Sequence, residues 1–136
     1  MATDLYNNVK VSSAIDPHSP AATGTITGDN VIDTASFSNT TFVISAGAQT
    51  TEGVTVTPVV MSGTVTGTLT SAADADLLGT EAGAALDGTA GADSVSKIGY
   101  VGTNRYVRLD LIVAAAATGL YQAAAVQAGA RKKPQS

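Results

Sequence analysis

His18 is the single histidine of this 136-residue chain, so any Ser-His-Asp arrangement would have to use it. It lies between Pro17 and Pro20, and no Gly-x-Ser-x-Gly turn accompanies it to raise a serine nucleophile above a sheet. A metal site built on it would need further nitrogen, carboxylate or thiolate ligands, and the chain has 0 Cys. Asp74 and Asp76 would share one face of an extended segment. Glycosidases place two carboxyls roughly 5–10 Å apart in a sugar-binding cleft. Such clefts usually carry aromatic platforms, and this chain has 4 Tyr, 2 Phe and no Trp. The bland reading, a solvated acidic loop, is the stronger one for this pair.

Residues 86–95 are similar to one calcium-binding nonapeptide repeat, but those sites arise from stacked copies and only one degraded copy is present. A plain glycine loop is preferred. There is no phosphate-cradling loop and no dinucleotide fingerprint. Asn39-Thr40-Thr41 is a formal glycosylation sequon, which has no consequence in a bacterial host. Arg105, Arg108 and Asp110 are the charges with most pattern around them. They read as a cross-strand ion pair on an exposed face, worth under about 1 kcal/mol. The functional alternative is a contact patch, since Arg beside Tyr is a common hot-spot pairing. The chain therefore reads as a structural or binding domain and not an enzyme, with no cofactor and no metal.

Composition agrees with that reading. Apolar residues make up 44% but aromatics only 4%, so the apolar content is mostly Ala and Val. Charged residues are 13%, about half the usual quarter. Low charge and many β-branched side chains suit pleated sheet. The formal charge of -4 is unevenly spread. Arg131, Lys132 and Lys133 cluster in a basic tail, leaving Lys10, Lys97, Arg105 and Arg108 against all 11 acids. An acidic body argues against direct nucleic-acid binding, which needs basic stripes over phosphates. The longest apolar run, residues 111–117, is about a third of a membrane span, and no secretory pattern opens the sequence. The expectation is a soluble protein that folds in a reducing cytoplasm.

The pattern of short alternating runs predicts an all-β domain, a jelly roll or β-sandwich of about eight antiparallel strands. The whole of 1–136 is read as a single domain, with an N-terminal arm at 1–5 and a basic tail at 129–136. A first strand covers 5–15, with Leu5, Val9, Val11 and Ile15 on one face, and the proline-rich 16–20 breaks it. Short runs at 22–27 and 31–34 flank the turn Gly28-Asp29-Asn30. Residues 40–46 put Phe42, Ile44 and Ala46 inward. In 53–60, Val54, Val56 and Val60 share a face, and Pro58 predicts an edge strand or bulge. The inward parity then switches to Met61, Val65 and Leu69. Residues 71–94 form an acidic Ala/Gly-rich loop, or a short helix over 72–78 capped by Ser71. Residues 95–101 and 105–113 flank Gly102-Thr103-Asn104, a hairpin signal, and a further turn at 118–119 leads into 120–128.

The run Ile98-Gly99-Tyr100-Val101-Gly102-Thr103-Asn104-Arg105-Tyr106-Val107-Arg108, and the opening Met-Ala-Thr-Asp-Leu-Tyr-Asn-Asn-Val, carry a resemblance. The chain resembles the jelly-roll capsid cement (decoration) proteins of tailed bacteriophages, of the kind described for a Bordetella phage. The resemblance implies a non-enzymatic virion protein, made in the bacterial cytoplasm and bound to the outer capsid surface. Its partners would be the major capsid protein and a second copy of itself, as a homodimer at two-fold-related sites, with no nucleic acid and no membrane. The candidate contact residues come from the residues themselves: Leu5 and Tyr6 in the arm, Tyr100, Arg105, Tyr106 and Arg108 around the glycine turn, and Arg131, Lys132 and Lys133 in the tail. Two other classes fit the same composition. One is a phage tail or receptor-binding component, separated by co-purification with tails. The other is a carbohydrate- or cell-surface-binding β-sandwich, separated by glycan binding.

Overall fold

Alternation writes the central strands directly. Val107, Leu109, Leu111 and Val113 are all buried, as are Phe42, Ile44 and Ala46, and Tyr121, Ala123 and Ala125. The residues between them face outward, the period of two that a pleated strand imposes. The computed structural model describes residues 4–19, 23–47, 55–87, 93–114 and 119–130. Among these residues the strands are β1 (Val9–His18), β2 (Gly24–Ile26), β3 (Ile32–Asp33), β4 (Asn39–Ala46), β5 (Thr55–Val65), β6 (Thr68–Ser71), β7 (Leu77–Leu78), β8 (Leu86–Asp87), β9 (Ser94–Tyr100), β10 (Tyr106–Val113) and β11 (Tyr121–Ala128). The count exceeds the expected eight because β3, β7 and β8 are two-residue pieces.

One sheet runs β1-β11-β4-β9-β7. The other runs β2-β10-β5-β6, with β3 also on β10 and β8 also on β5. All pairings are antiparallel. The inner faces bury one apolar cluster between the sheets, a sandwich resembling a jelly roll. The one helical element among the described residues is a 3-10 turn at Asp74–Asp76.

The hairpin expected around Gly102 is absent. β9 lies in the first sheet and β10 in the second, so residues 101–105 turn a corner between sheets. Tyr100 pairs with Thr40 and Leu77, whereas Tyr106 pairs with Gly63 and Asp33. Backbone and side-chain bonds tie the corner. The Asn104 N–H donates to the Tyr100 hydroxyl at 3.1 Å, and Asn104 Nδ2 donates to Ser62 Oγ at 3.1 Å. The Val101 N–H donates to the Asp76 carbonyl at 2.8 Å. Glycine is needed at 102 for space: a Cβ there would stand 2.5 Å from the Tyr100 hydroxyl.

Three further expectations change. β1 does not start at Leu5 or stop before Pro17; it runs Val9–His18. Its pairing with β11 shifts between Ser13 and Ile15, and again before His18. The first bulge moves inward-facing residues from one parity to the other, so Ile15 is buried while Val11 is 63% exposed. Pro17 is tolerated because β1 is an edge strand. β5 runs unbroken to Val65 with Val56, Pro58, Val60 and Ser62 all inward, so the parity switch does not occur. Nor is β5 an edge strand: Pro58 pairs with Leu111 of β10, on the side where it needs no N–H. Its other side lies between the stretches paired by β8 and β6. There the Glu81 carboxylate accepts the Val60 N–H at 3.2 Å. Finally, the helix over 72–78 is only the 3-10 turn, with Ala73 at its start and no side-chain cap.

Candidate partner-binding surface

Strand register gathers one end of the sandwich. Val9 pairs with Ala128, Ala128 with Asn39, and Thr40 with Tyr100. The corner after Tyr100 delivers Arg105 and Tyr106 to the same end of the other sheet. Leu5, Tyr6, Arg105 and Tyr106 therefore share this end, where Gly129 and Ala130 also stand. Arg131, Lys132 and Lys133 lie outside the described residues.

Leu5 and Tyr6 are 73% and 87% exposed. They are held in a tight turn built by Asp4, not by apolar packing. Asp4 Oδ1 accepts the Asn7 N–H at 2.7 Å, and Asn7 Nδ2 donates to Asp4 Oδ2 at 3.1 Å. The backbone bond from Asn7 holds the Asp4 carboxyl below its usual range. The Asn8 and Val9 amides donate to the Leu5 carbonyl. An exposed apolar pair on a braced turn can dock without first being ordered.

The two arginines are both engaged by carboxylates through bidentate forks. Arg105 Nε and Nη2 reach Asp33 at 3.0 and 2.7 Å, and the guanidinium stacks 5.0 Å from the Tyr106 ring centre. The Arg105 hydrogen bond, then the Ala35 N–H, lower the Asp33 pKa, with Lys10 adding a smaller attraction. Arg108 Nε and Nη2 reach Asp110 at 2.8 and 2.9 Å. That hydrogen bond raises the Arg108 pKa against the cost of desolvation. Arg105 thus pairs across strands with Asp33, which the sequence pattern does not single out, while Arg108–Asp110 is an i,i+2 pair on one strand and not a cross-strand pair. Tyr100 is 2% exposed, and its hydroxyl belongs to the corner rather than the surface.

The sequence reading missed the outer face of the first sheet. Cross-strand register lines up Val11, Val126, Thr41, Gly99 and Leu78 in one row, and Ser13, Ala124, Val43 and Lys97 in the next. Val11, Leu78 and Val95 are among the most exposed large apolar residues. Lys97 is the one charge in these rows. A shallow groove of about 350 Å³ opens there between Val11, Ile15, Pro17, Val43 and Ala124. The sequence signal was available, since the outward residues Thr41, Val43 and Ser45 of β4 and Ala124 and Val126 of β11 are small apolar or hydroxyl residues, but the pattern of β1 puts Val11 in the core.

The residues weighed for chemistry do not converge. His18 is exposed at the end of β1, and Asp74 and Asp76 sit in the 3-10 turn. Residues 88–92 of the glycine-rich stretch lie outside the described residues. Among the described residues no cluster of His, Asp or Glu has the makings of a metal site, and no helix is long and apolar enough to cross a membrane.

No family model and no curated protein sequence matches the chain. Among the solved structures that share its fold are two of infectious bursal disease virus. The VP2 subviral particle of infectious bursal disease virus matches over 89% of this chain, with a TM-score of 0.55 and 12% identity. A structure of the Gx strain of that virus matches over 93%, with a TM-score of 0.53 and 14% identity. The chain spans about a third of the length of each of those chains, 32% and 34%. At such low identity the likeness is one of fold: an antiparallel β-sandwich of the kind found in a virus particle protein.

Proposed function

We propose that the chain is a structural capsid cement (decoration) protein. It binds the outside of a tailed-phage head, as a homodimer at two-fold-related sites, and stabilises the mature expanded shell against internal DNA pressure. The observation that carries this reading is the sandwich shared, over most of the chain, with a protein of a virus particle. The nearly uncharged outer face of the first sheet and the braced Leu5–Tyr6 turn supply contact surface. A clamp that binds only the expanded lattice stabilises it by its binding free energy, about 2.7 kcal/mol per site at a hundredfold excess over Kd. Many symmetric sites multiply that.

The test is binding of the purified protein to heads lacking it, before and after expansion, followed by heat release of packaged DNA. The expected result is saturable binding to expanded heads alone, with DNA retained to higher temperature. No binding to either form would sink the capsid reading and move the search to phage tails and surface glycans.

A further inference from the structure

β1 is the longest edge strand among the described residues, and half of its open side is already closed. The Gly47 N–H donates to the Leu120 carbonyl at 2.8 Å. With Ala46 opposite Tyr121, this makes the even residues of β11 the ones bonded to β4, and its odd residues bond β1. Gln127 and Ala125 face Lys10 and Ser12, so the backbone groups of Val9, Val11 and Ser13 point out of the sheet. Beyond Ser13 the loop after β2 covers the edge. The Ala14 carbonyl accepts the Asp29 and Asn30 N–H groups at 3.0 and 3.3 Å, and the Asp16 N–H donates to Asp29 Oδ2 at 2.9 Å. Asn30 Nδ2 donates to the Ser13 carbonyl at 3.1 Å. On the other flank, the Val9 N–H donates to the Leu5 carbonyl at 3.2 Å. Among the described residues, the groups left open are the Val9 carbonyl, the Val11 N–H and carbonyl, and the Ser13 N–H.

This set is symmetric about Val11. We propose that it pairs with the same edge of a second copy, antiparallel, about a two-fold axis through Val11. The Val11 N–H donates to the partner's Val11 carbonyl and the partner's returns the bond. The Ser13 N–H donates to the partner's Val9 carbonyl, again reciprocally. Each open donor meets an open acceptor and none is left over. The Leu5 turn and the Asn30 side chain bound the open stretch on both sides, so its length matches that of its twin. Lys10 falls opposite the partner's Ser12, so like charges do not face each other. The same register carries the exposed Leu5–Tyr6 turn towards the partner's Ile15 and Pro17, which border the groove described above. The two first sheets become one continuous sheet with a joined outer face. The proposal gives a surface to the self-association in the capsid reading and rests on that part of it alone.

Val11→Pro is the decisive variant. It removes the Val11 donor, whose N–H is not used within the chain, and an edge position tolerates proline. In sedimentation equilibrium of the full chain, without heads, the wild type is expected to be a dimer. Val11→Pro should keep the wild-type circular dichroism and raise the dimer dissociation constant roughly thirtyfold, for two lost hydrogen bonds. As a second measurement, Val11→Cys in this cysteine-free chain should oxidise to a covalent dimer, because facing Cα atoms in such a pair stand about 5.5 Å apart. Val95→Cys, exposed on the same sheet's outer face, should form no covalent dimer under the same oxidation. A monomeric wild type, unchanged dimerisation by Val11→Pro, or equal cross-linking of both cysteine variants would overturn the proposal. Loss of head binding by Val11→Pro from a monomeric wild type would assign the edge to a coat-protein strand instead. Dimerisation without head binding would leave the pairing standing and remove the capsid reading.

Discussion

Asp110 and Asp33 make similar forks to arginine, yet their surroundings separate their worth. Asp110 is nearly buried, and besides Arg108 it accepts the Gly28 N–H at 2.9 Å. Removing its carboxylate strands a half-buried guanidinium and a backbone donor together. Asp110→Ala is expected to cost roughly 2–3 kcal/mol. Arg105 and Asp33 are 55% and 46% exposed, so water screens the pair, and Arg105→Ala should cost under about 1 kcal/mol. The exposed pair also has a pH signature. Asp33 titrates below its ordinary 3.8 in the folded chain. A depressed carboxylate contributes stability above its unfolded pKa and loses it as pH falls through the folded value. The small gap between wild type and Arg105→Ala should therefore hold at neutral pH and close below about pH 4, as read from denaturant melts across that range. A gap that stays constant into acid would show that Arg105 acts through its stacking on Tyr106 instead.

β10 shows how an element can be legible from sequence while its neighbours are not. Its alternation fixed the buried face and the outward set Tyr106, Arg108, Asp110 and Ile112. The runs on either side of Gly28 were also read as strands, but nothing local said that both would pair with β10, β3 at Tyr106 and Val107 and β2 at 111–113. They act as one strand interrupted by a loop, and Asp110 fills the interruption through Gly28. A Cβ at position 28 would collide with the Leu109 carbonyl and stand 2.8 Å from Arg108 Cγ. Gly28→Ala should therefore cost about 1–3 kcal/mol as an overpacking change, visible as a lower melting midpoint with unchanged secondary structure. A neutral substitution would mean the loop can lift off β10 without loss. The bulge in β1 was illegible for a related reason. A one-residue shift is decided by what the extra residue bonds to, here Asp29 and Asn30, which lie far along the chain.

Across the whole molecule, local signals gave the longer strands, tertiary pairing gave the sheets, and β7 and β8 fall within 71–94, the stretch that reads as a loop or short helix. The Gly102 corner carries the same residues as a hairpin turn, and only the partners of Tyr100 and Tyr106 distinguish the two. Sequence neighbours are rarely sheet neighbours here: β1 pairs with β11, β4 with β9 and with β11, and β10 with β2, β3 and β5. Among the described residues, only β5 and β6 meet across a short turn, at residues 66–67. Each long-range pairing closes a large loop before its contacts stabilise anything, so folding must wait for several such closures together. Refolding of the isolated chain is expected on the millisecond-to-second scale typical of sandwiches, followed by stopped-flow far-ultraviolet circular dichroism. The transition state should already contain β10 against β5, the longest register in the second sheet, so Leu109→Ala should slow refolding more than it speeds unfolding. Refolding in microseconds, or an effect of Leu109→Ala confined to unfolding, would place the nucleus elsewhere, with the β4–β11 pair the next candidate because it is equally long and buries Phe42 and Ile44.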